Sequence, residues 1–237
     1  MTTAAVVIIG DEILSGKFAD ENGPYLIKRL RELGCDLVRI AVVRDTLDDI
    51  SAEVAKCAAK ADHVITTGGV GPTHDDVTLE GIAQAFGVEL EVHSRVVELM
   101  ESWGMAVDDT TRRMARLPAG AELIEGGKAR FPVVRVRNVI ILPGVPRLMR
   151  LKFEDIAERV RGVPVLTARV STLRHESAIA SVLTATQQRY PSVAIGSYPR
   201  YEEDPFRVIV TLESRDAQAM AEALAMLHTG LPDVVDG

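Results

Sequence analysis

A glycine-rich segment, Thr66–Thr78, carries the residue types best suited to chemistry in this chain. It reads Thr-Thr-Gly-Gly-Val-Gly-Pro-Thr-His-Asp-Asp-Val-Thr. Glycines adopt backbone angles that other residues avoid, so closely spaced glycines let several backbone N–H groups turn toward one oxyanion. The segment matches neither the Gly-Lys-Ser/Thr of a Walker A loop nor the spacing Gly-x-Gly-x-x-Gly. We predict a phosphate-binding loop whose ligand contacts come from Thr67, Gly68, Gly69, Gly71, Thr73 and Thr78.

Two adjacent carboxylates, Asp75 and Asp76, follow the glycines. Beside a bound phosphate they would repel the ligand unless a cation lies between them. Mg²⁺ or another divalent ion, held by carboxylate and phosphate oxygens together, removes this conflict. Simpler roles remain open, since Asp75 also suits the N-cap of the following helix and Asp76 a solvated surface charge.

Further acidic groups follow the first two predicted strands. Gly10-Asp11-Glu12 comes directly after one strand, and Asp45 comes after the next. Such positions suit ligand-facing loops. The two acids after Gly10 also suit the first turn of a helix, and Asp45 also suits a helix N-cap. Asn22 is placed to supply an amide donor to the same ligand.

The hydrophobic pattern predicts the elements that must position these groups. Apolar runs predict strands at 4–9, 37–43 and 62–67. Helical spacing predicts helices at 21–33 and at 47–59, and a third that follows Asp75-Asp76 and reaches about Phe86. Alternating strands and helices predict a parallel sheet with helices on both faces. Ligands of such sheets bind beyond the carboxyl ends of the strands. We therefore expect Gly10, Asp45 and Gly68 at one edge of the sheet.

The rest of the chain completes the first predicted domain and then forms a second, smaller one. A helical stretch at 93–116 with a break near Gly104 precedes short strands at 133–136 and 138–142, a turn at Pro143-Gly144-Val145-Pro146 and a helix at 147–160. A boundary is predicted at 162–164. Beyond it, strands at 165–170, 193–197 and 206–212 and helices at 176–188 and 216–227 predict an α+β arrangement with an antiparallel sheet. The predicted domains are thus 1–162 and 163–237.

Composition argues against several classes of protein. The 237 residues are 47% hydrophobic and 26% charged, with a net charge of −7, which is typical of a globular protein without a nucleic-acid-binding surface. The apolar start of the chain is too short for a membrane span, which needs roughly 20 residues. Cys35 and Cys57 have no metal-binding spacing, and the histidines show no zinc pattern. We expect a cytoplasmic protein that contacts neither membrane nor nucleic acid.

Three motifs together resemble one known family. They are Gly10-Asp11-Glu12 with Gly16, the segment from Thr67 to Thr78, and Pro143-Gly144-Val145-Pro146. The pattern resembles the molybdopterin-binding (MoaB/Mog-like) domain, in the form found at the N-terminus of the competence/damage-inducible protein CinA and of FAD synthase. The resemblance covers residues 4–160, and Ile195–Pro199 resembles the region that follows this domain. It implies a three-layer α/β/α fold with a mostly parallel sheet, and a homo-oligomer.

The family resemblance also implies roles for individual residues. The glycine loop of the molybdenum-cofactor members holds the phosphate of a pterin, and aspartates matching Asp45 and Asp76 support adenylyl transfer with Mg²⁺. CinA-like members are associated with hydrolysis of a pyrophosphate in ADP-ribose-like or FAD-like nucleotides. The predicted catalytic residues are Asp45 and Asp76, the predicted metal ligands are Asp11 and Asp76, and the predicted ligand-binding residues are Gly10, Asp11, Glu12, Thr67, Gly68, Gly69, Gly71, Thr73, Asp75, Thr78, Pro143 and Gly144.

Three functions remain open at this point. The favoured one is a metal-dependent pyrophosphatase acting on ADP-ribose-like or FAD-like nucleotides. The second is molybdopterin binding with adenylyl transfer, as in molybdenum cofactor synthesis. The third is a non-catalytic module that binds a nucleotide or pterin phosphate. All three place a small phosphorylated molecule on the glycine loop.

Overall fold

The computed structural model describes residues 1–106, 108–126, 131–200, 207–231 and 233–236. They form two compact units, Met1–Val163 and Pro164–Gly237, whereas the predicted boundary lay between residues 162 and 163. Val107, inside one predicted helix, and Phe206, at the start of one predicted strand, lie outside the described residues.

The first unit alternates strands and helices, with three short extra strands that the hydrophobic pattern did not predict. Its strands are β1 Thr3–Ile9, β2 Asp36–Val43, β3 His63–Thr67, β4 Leu90–Val92, β5 Arg116–Pro118, β6 Glu122–Ile124, β7 Val133–Val136 and β8 Val139–Leu142. Its helices are α1 Asp11–Leu14, α2 Asn22–Glu32, α3 Leu47–Ala58, α4 Thr78–Phe86, α5 Ser94–Ser102, α6 Asp109–Met114 and α7 Pro146–Ile156. A 3-10 turn, Ala157–Val160, extends α7.

A six-stranded sheet with the order β2-β1-β3-β8-β7-β6 forms the middle layer of the first unit. The first four strands are parallel, and the last two pair antiparallel. The inner strands read as continuous apolar runs because both faces of the sheet are covered. Side chains of α2 and α7 pack on one face, and those of α3 and α4 pack on the other. The predicted three-layer α/β/α fold with a mostly parallel sheet is confirmed.

Two aspartates that the sequence left open as helix N-caps, Asp45 and Asp75, do not cap helices in the structure. The N-cap of α3 is Thr46, whose hydroxyl accepts from the backbone N–H of Asp49 at 3.3 Å, so Asp45 is not the cap. The N-cap of α4 is Val77, with no side-chain cap, so Asp75 is not the cap either. Both aspartates therefore lie in loops ahead of their helices.

The stretch predicted as one broken helix at 93–116 contains two helices in the described residues. The first of these helices, α5, ends at Ser102, and Gly104 follows in the left-handed region with φ of +72°. That angle favours glycine and stops the helix at this point.

The second unit has β9 Leu166–Thr172, α8 Glu176–Arg189, β10 Ala194–Pro199, β11 Val208–Ser214, α9 Ala217–Gly230 and β12 Val235–Asp236. The sheet order is β10-β11-β9-β12, with antiparallel pairing throughout its described strands. Both helices contribute to its own apolar core, through residues such as Ile179 and Leu227. The predicted small α+β region is therefore present, with β12 added. Among the described residues of the whole chain, helices long and apolar enough to cross a bilayer are absent.

Candidate functional site

The carboxyl ends of β1, β2 and β3 lie side by side in the sheet. Ile9 pairs with Val43, and Ile8 pairs with Thr67. The loops that follow leave from one edge, as expected for parallel neighbours. The backbone N–H of Gly10 donates to the carbonyl of Val43 at 3.2 Å, which ties the first loop to the second.

The glycine loop passes so close to neighbouring backbone that side chains are excluded. Gly68 and Gly69 have φ of +107° and +60°, both in the left-handed region. A Cβ on Gly68 would lie 2.1 Å from the carbonyl oxygen of Ile9, and one on Gly144 would lie 3.2 Å from the Cα of Gly68. Glycine is thus required here by both backbone angle and space. The loop, β1 and the turn after β8 pack backbone against backbone.

The loop leaves backbone donors available for an anion. Among the described residues, no acceptor takes the N–H groups of Gly69, Val70 or Gly71, and that of Gly68 donates to Leu142 at a long 3.3 Å. Successive free N–H groups in a glycine-rich turn form an anion-binding concavity. This arrangement supplies what the predicted phosphate site needs.

The three threonines predicted to contact the ligand have their hydroxyls engaged within the protein. The hydroxyl of Thr78, a buried residue, donates to the carbonyl of Gly68 at 2.8 Å. That of Thr67 donates to Pro143 at 2.9 Å, and that of Thr73 donates to the carboxylate of Asp76. These hydroxyls hold the loop in shape, and the protons that Thr73 and Thr78 were expected to donate to the ligand are donated within the protein.

Asp76 closes the loop and also faces its open side. Its Oδ2 accepts from the backbone N–H of Thr73 at 2.9 Å, and its carbonyl accepts from Arg113 at 3.2 Å. Asp76 lines the large cavity described below. Asp75 is exposed. The two adjacent aspartates are therefore not equivalent.

Asp45 lies half-buried between the first and third loops. Its Oδ2 accepts from the backbone N–H of Asp11 at 2.7 Å, and its Oδ1 would lie 3.4 Å from a Cβ built on Gly69. Burial raises the pKa of Asp45, and the nearby carboxylates of Glu12, Asp11 and Asp75 raise it further. The hydrogen bond from Asp11 opposes this shift. The charged form of Asp45 is therefore disfavoured mainly by burial and further by the neighbouring carboxylates.

The fit of a divalent cation can be judged from these donors. Within the part of the chain that the structure describes, no group of three or more His, Cys, Asp or Glu side chains is placed to hold a metal alone. Mg²⁺ commonly binds through one or two carboxylates together with water and ligand phosphates. A cation at this site would therefore be held by one or two of the carboxylates of Asp11, Asp45 and Asp76, with water and a phosphorylated ligand supplying the other oxygens.

Asn22 connects two walls of the site. Its Nδ2 donates to the hydroxyl oxygen of Thr67 at 2.9 Å and to the carbonyl of Gly144 at 2.8 Å. The residue is only 6% exposed. The sequence suggested an amide donor for the ligand, and the structure corrects this, because both N–H groups are used within the protein. Asn22 ties the end of β3 to the turn that precedes α7.

Replacement of Asn22 by Ala should destabilise the protein. The change removes one hydrogen bond to the buried Thr67 hydroxyl and one to the part-buried Gly144 carbonyl, and each such loss costs about 1–3 kcal/mol. We expect the free energy of unfolding to fall by about 2–4 kcal/mol in urea denaturation, with an unchanged m-value. Asn22→Asp, which keeps the shape but loses the donors, should show a comparable loss. Full stability in both variants would refute this connecting role.

One cavity of about 890 Å³ unites the loops with an apolar wall, a volume in the range of small-molecule sites. Eight predicted site residues line it: Glu12, Thr67, Gly68, Gly69, Gly71, Asp76, Pro143 and Gly144. Six others lie outside its lining: Gly10, Asp11, Asp45, Thr73, Asp75 and Thr78. The apolar wall, which the sequence reasoning missed, includes Phe18, Leu79, Met114, Leu117, Phe131, Val134 and Leu148.

Lys152 is a second feature of the cavity that the sequence reasoning missed. It lies on α7 among the buried positions Met149, Phe153 and Ile156, and it is 7% exposed. Its ammonium donates to the carbonyl of Pro132 at 2.8 Å. Lysine is almost never fully buried without a partner. A lysine on the apolar stripe of a helix was the signal available in the sequence.

The buried charge of Lys152 should make stability depend on pH. Burial lowers the pKa of Lys152 from its ordinary 10.5 to about 8. Below the lower value both states are protonated and the folded state carries the full cost of the buried charge. Above the folded-state pKa of about 8, only the unfolded state keeps the proton. Unfolding therefore becomes less favourable as the pH rises toward the ordinary pKa of 10.5. The stability advantage of Lys152→Met should therefore shrink by about 2 kcal/mol from about pH 7 to about pH 9.5. A difference that stays constant in urea titrations would contradict this.

The fold and the site together define a class. An open, mostly parallel sheet with a glycine loop at its carboxyl edge defines an α/β protein of the class that binds small molecules beyond the ends of its strands. Residues 5–167 match the family described as "Probable molybdopterin binding domain", and the chain belongs to this family. Residues 164–236 match the description "FAD synthase, middle domain".

Individual relatives agree with this assignment. A "Probable FAD synthase" of Caenorhabditis briggsae is 32% identical over 249 residues, which cover 92% of this chain and 47% of that protein. A "CinA-like protein" of Myxococcus xanthus is 30% identical over 236 residues, covering 92% of this chain and 55% of that protein. The chain therefore spans about half the length of these curated relatives, 47% and 55%.

A solved structure supports the same family. The crystal structure of the protein CinA from Thermoplasma acidophilum matches with a TM-score of 0.60 and 31% identity, over 67% of this chain and 98% of that chain. The predicted resemblance to the MoaB/Mog-like domain, to CinA and to FAD synthase is confirmed.

Proposed function

We propose that the protein is a metal-dependent pyrophosphatase that acts on ADP-ribose-like or FAD-like nucleotides. One observation carries this proposal: free N–H groups of the glycine loop and the carboxylates of Glu12 and Asp76 line a single cavity. Donors that suit a diphosphate and carboxylates that suit a cation face the same cavity, which supports the proposal. The names of the matched relatives, FAD synthase and CinA-like protein, are compatible with a nucleotide substrate.

Each group has a role in the proposed hydrolysis. The N–H groups of Gly69 to Gly71 bind the diphosphate and stabilise charge that develops on its oxygens. Asp76 and Asp11 would hold the cation. The cation, when bound, would neutralise the phosphate oxygens and lower the pKa of a water. Asp45 accepts a proton from the attacking water, whose oxygen bonds to phosphorus as the bridging P–O bond breaks. The products are two phosphate monoesters.

The direct test is product release. The protein is incubated with ADP-ribose or FAD in Mg²⁺, Mn²⁺ or Co²⁺ and, separately, in a chelator, and AMP and FMN are measured by chromatography. We expect release only with a divalent ion. Failure to release either product with any of the metals would refute the pyrophosphatase.

A second candidate follows from the family match over residues 5–167. It is adenylyl transfer to molybdopterin, in which the same loop and aspartates would hold the acceptor phosphate beside ATP. The two reactions differ in their requirement for ATP and in their product. ATP-dependent formation of an adenylylated pterin, with pyrophosphate released and ADP-ribose left intact, would favour this candidate over the hydrolase.

A further inference from the structure

The ammonium group of Lys152 lies in the same cavity as the glycine loop, and Lys152 is not one of the proposed catalytic residues. Lys152 lines the cavity together with Phe131 and Pro132. Its ammonium is 5.6 Å from the centre of the Phe131 ring and 2.8 Å from the Pro132 carbonyl oxygen. Side chains of Met114, Leu117 and Val134 complete the apolar wall of this cavity. A positive charge therefore accompanies an otherwise apolar surface.

Burial of the charged Lys152 ammonium costs free energy, and a purely structural role does not explain this cost. Its ammonium has three N–H donors, and the Pro132 carbonyl is its hydrogen-bond acceptor among the described residues. No salt bridge to Lys152 is found among the described residues, although the charge of Asp155 acts on its ammonium and favours the protonated form. A methionine or leucine would fill the same volume without burying a charge. The remaining donors are best satisfied by an oxygen acceptor on a bound ligand.

The surroundings indicate the kind of acceptor. A phosphate needs several donors, and those are available at the glycine loop, whereas the wall beside Lys152 is apolar and aromatic. A flat ring packed on Phe131 with a carbonyl oxygen at its edge matches one ammonium and an apolar surface. Adenine accepts at its edge only through ring nitrogens, two of which flank an amino donor, whereas oxo-substituted rings present a carbonyl oxygen acceptor.

We propose that Lys152 is a specificity-determining residue that donates to a ring carbonyl of the ligand, so that the site selects phosphate esters of oxo-substituted heteroaromatic rings over those of adenine. This inference rests on the proposed function in one respect, the binding of the ligand phosphate at Gly68–Gly71. Flavins and pterins belong to the selected class. For a mixed dinucleotide such as FAD, the flavin ring and not the adenine would occupy the wall beside Phe131.

The test compares ligands that differ at the ring and share the phosphate. Dissociation constants of FMN, IMP, AMP and inorganic pyrophosphate are measured by calorimetry for the wild type, Lys152→Met and Lys152→Gln. IMP and AMP are a matched pair because they differ in a ring oxygen against an amino group. We expect the wild type to bind IMP at least about tenfold more tightly than AMP, a difference that one hydrogen bond to a charged donor can supply.

The variants decide what Lys152 does. Lys152→Met should abolish the preference for IMP and weaken FMN binding about tenfold, with pyrophosphate affinity unchanged. Lys152→Gln keeps a donor without the charge, so it should retain part of the preference and provides an independent second variant.

Other outcomes overturn the proposal in distinguishable ways. Equal weakening of IMP, AMP and pyrophosphate in the variants would make Lys152 a phosphate-binding residue. Unchanged FMN and IMP binding would make it structural. Absence of pyrophosphate binding in the wild type would instead overturn the phosphate site itself, and with it the placement on which this inference rests.

Discussion

Replacing Asp76 by Asn should lower turnover of ADP-ribose or FAD by roughly 100-fold or more, a scale typical of losing one catalytic group. The asparagine carbonyl can still accept the Thr73 N–H bond that shapes the loop, which Asp76 Oδ2 accepts at 2.9 Å. What is lost is the negative charge that holds the cation against the phosphate. Steady-state rates of AMP or FMN release at saturating Mg²⁺ are the measurement, with ligand affinity followed in parallel.

Asp75→Asn is the matched control for this prediction. Asp75 is the adjacent residue of the same type, but its side chain is 68% exposed and it lies outside the cavity lining. We expect its turnover to stay within about twofold of the wild type, because exposed charges contribute little. If both variants behave alike, general electrostatics and not a defined cation site explains the loss.

The Asp76 variant also separates an enzyme from a binding module. Under the catalytic hypotheses turnover falls while nucleotide affinity changes much less. A wild type that binds nucleotides but shows neither hydrolysis nor adenylyl transfer, together with an Asp76→Asn variant of equal affinity, would support the non-catalytic alternative. Asp45→Asn should lower turnover as well, because Asp45 is the proposed proton acceptor.

Replacing Gly68 by Ala should have the largest effect on the fold of the site. The residue has φ of +107°, and its new Cβ would lie 2.1 Å from the carbonyl oxygen of Ile9. That neighbour is backbone and cannot rotate away, so β1 and β3 must separate at their ends. Strain and overlap together should lower the free energy of unfolding by roughly 3–5 kcal/mol. Binding of pyrophosphate should be lost, since the loop N–H groups no longer converge.

Gly16→Ala isolates the contribution of the backbone angle. Gly16 has a comparable positive φ of +71°, but a Cβ there meets no atom within 4 Å. We expect a loss of only about 1–2 kcal/mol in urea denaturation, with pyrophosphate affinity intact. Equal losses in the two variants would show that close packing against Ile9 does not determine the loop.

Several features of the fold were predictable because their causes are local. Continuous apolar runs such as Ala4–Ile9 predict strands buried on both faces, and alternation with amphipathic helices predicts a parallel sheet. The short strands β4, β5 and β6 have three residues each, which is too short for a periodic signal. The choice of Thr46 over Asp45 as a helix cap was also beyond prediction, because both residue types cap well and adjacent positions compete.

The site shows the same division between local and distant causes. Asn22 could be identified as a polar group near the loop, but its actual partners lie 45 and 122 residues away in sequence. The apolar wall joins side chains as far apart as Phe18 and Leu148. Only the folded chain brings such residues together, because no local propensity links them.

The sequence by itself determined that a glycine loop with neighbouring carboxylates lies at the carboxyl edge of a parallel sheet. It could do so because glycine spacing, apolar periodicity and strand order are properties of short segments and of chain direction. The tertiary structure alone decided which hydroxyls serve the loop, that Asp76 and not Asp75 lines the cavity, and that Lys152 is buried beside Phe131. These outcomes depend on packing between segments that are distant in sequence, because that packing determines which charge is buried and which donor finds an acceptor.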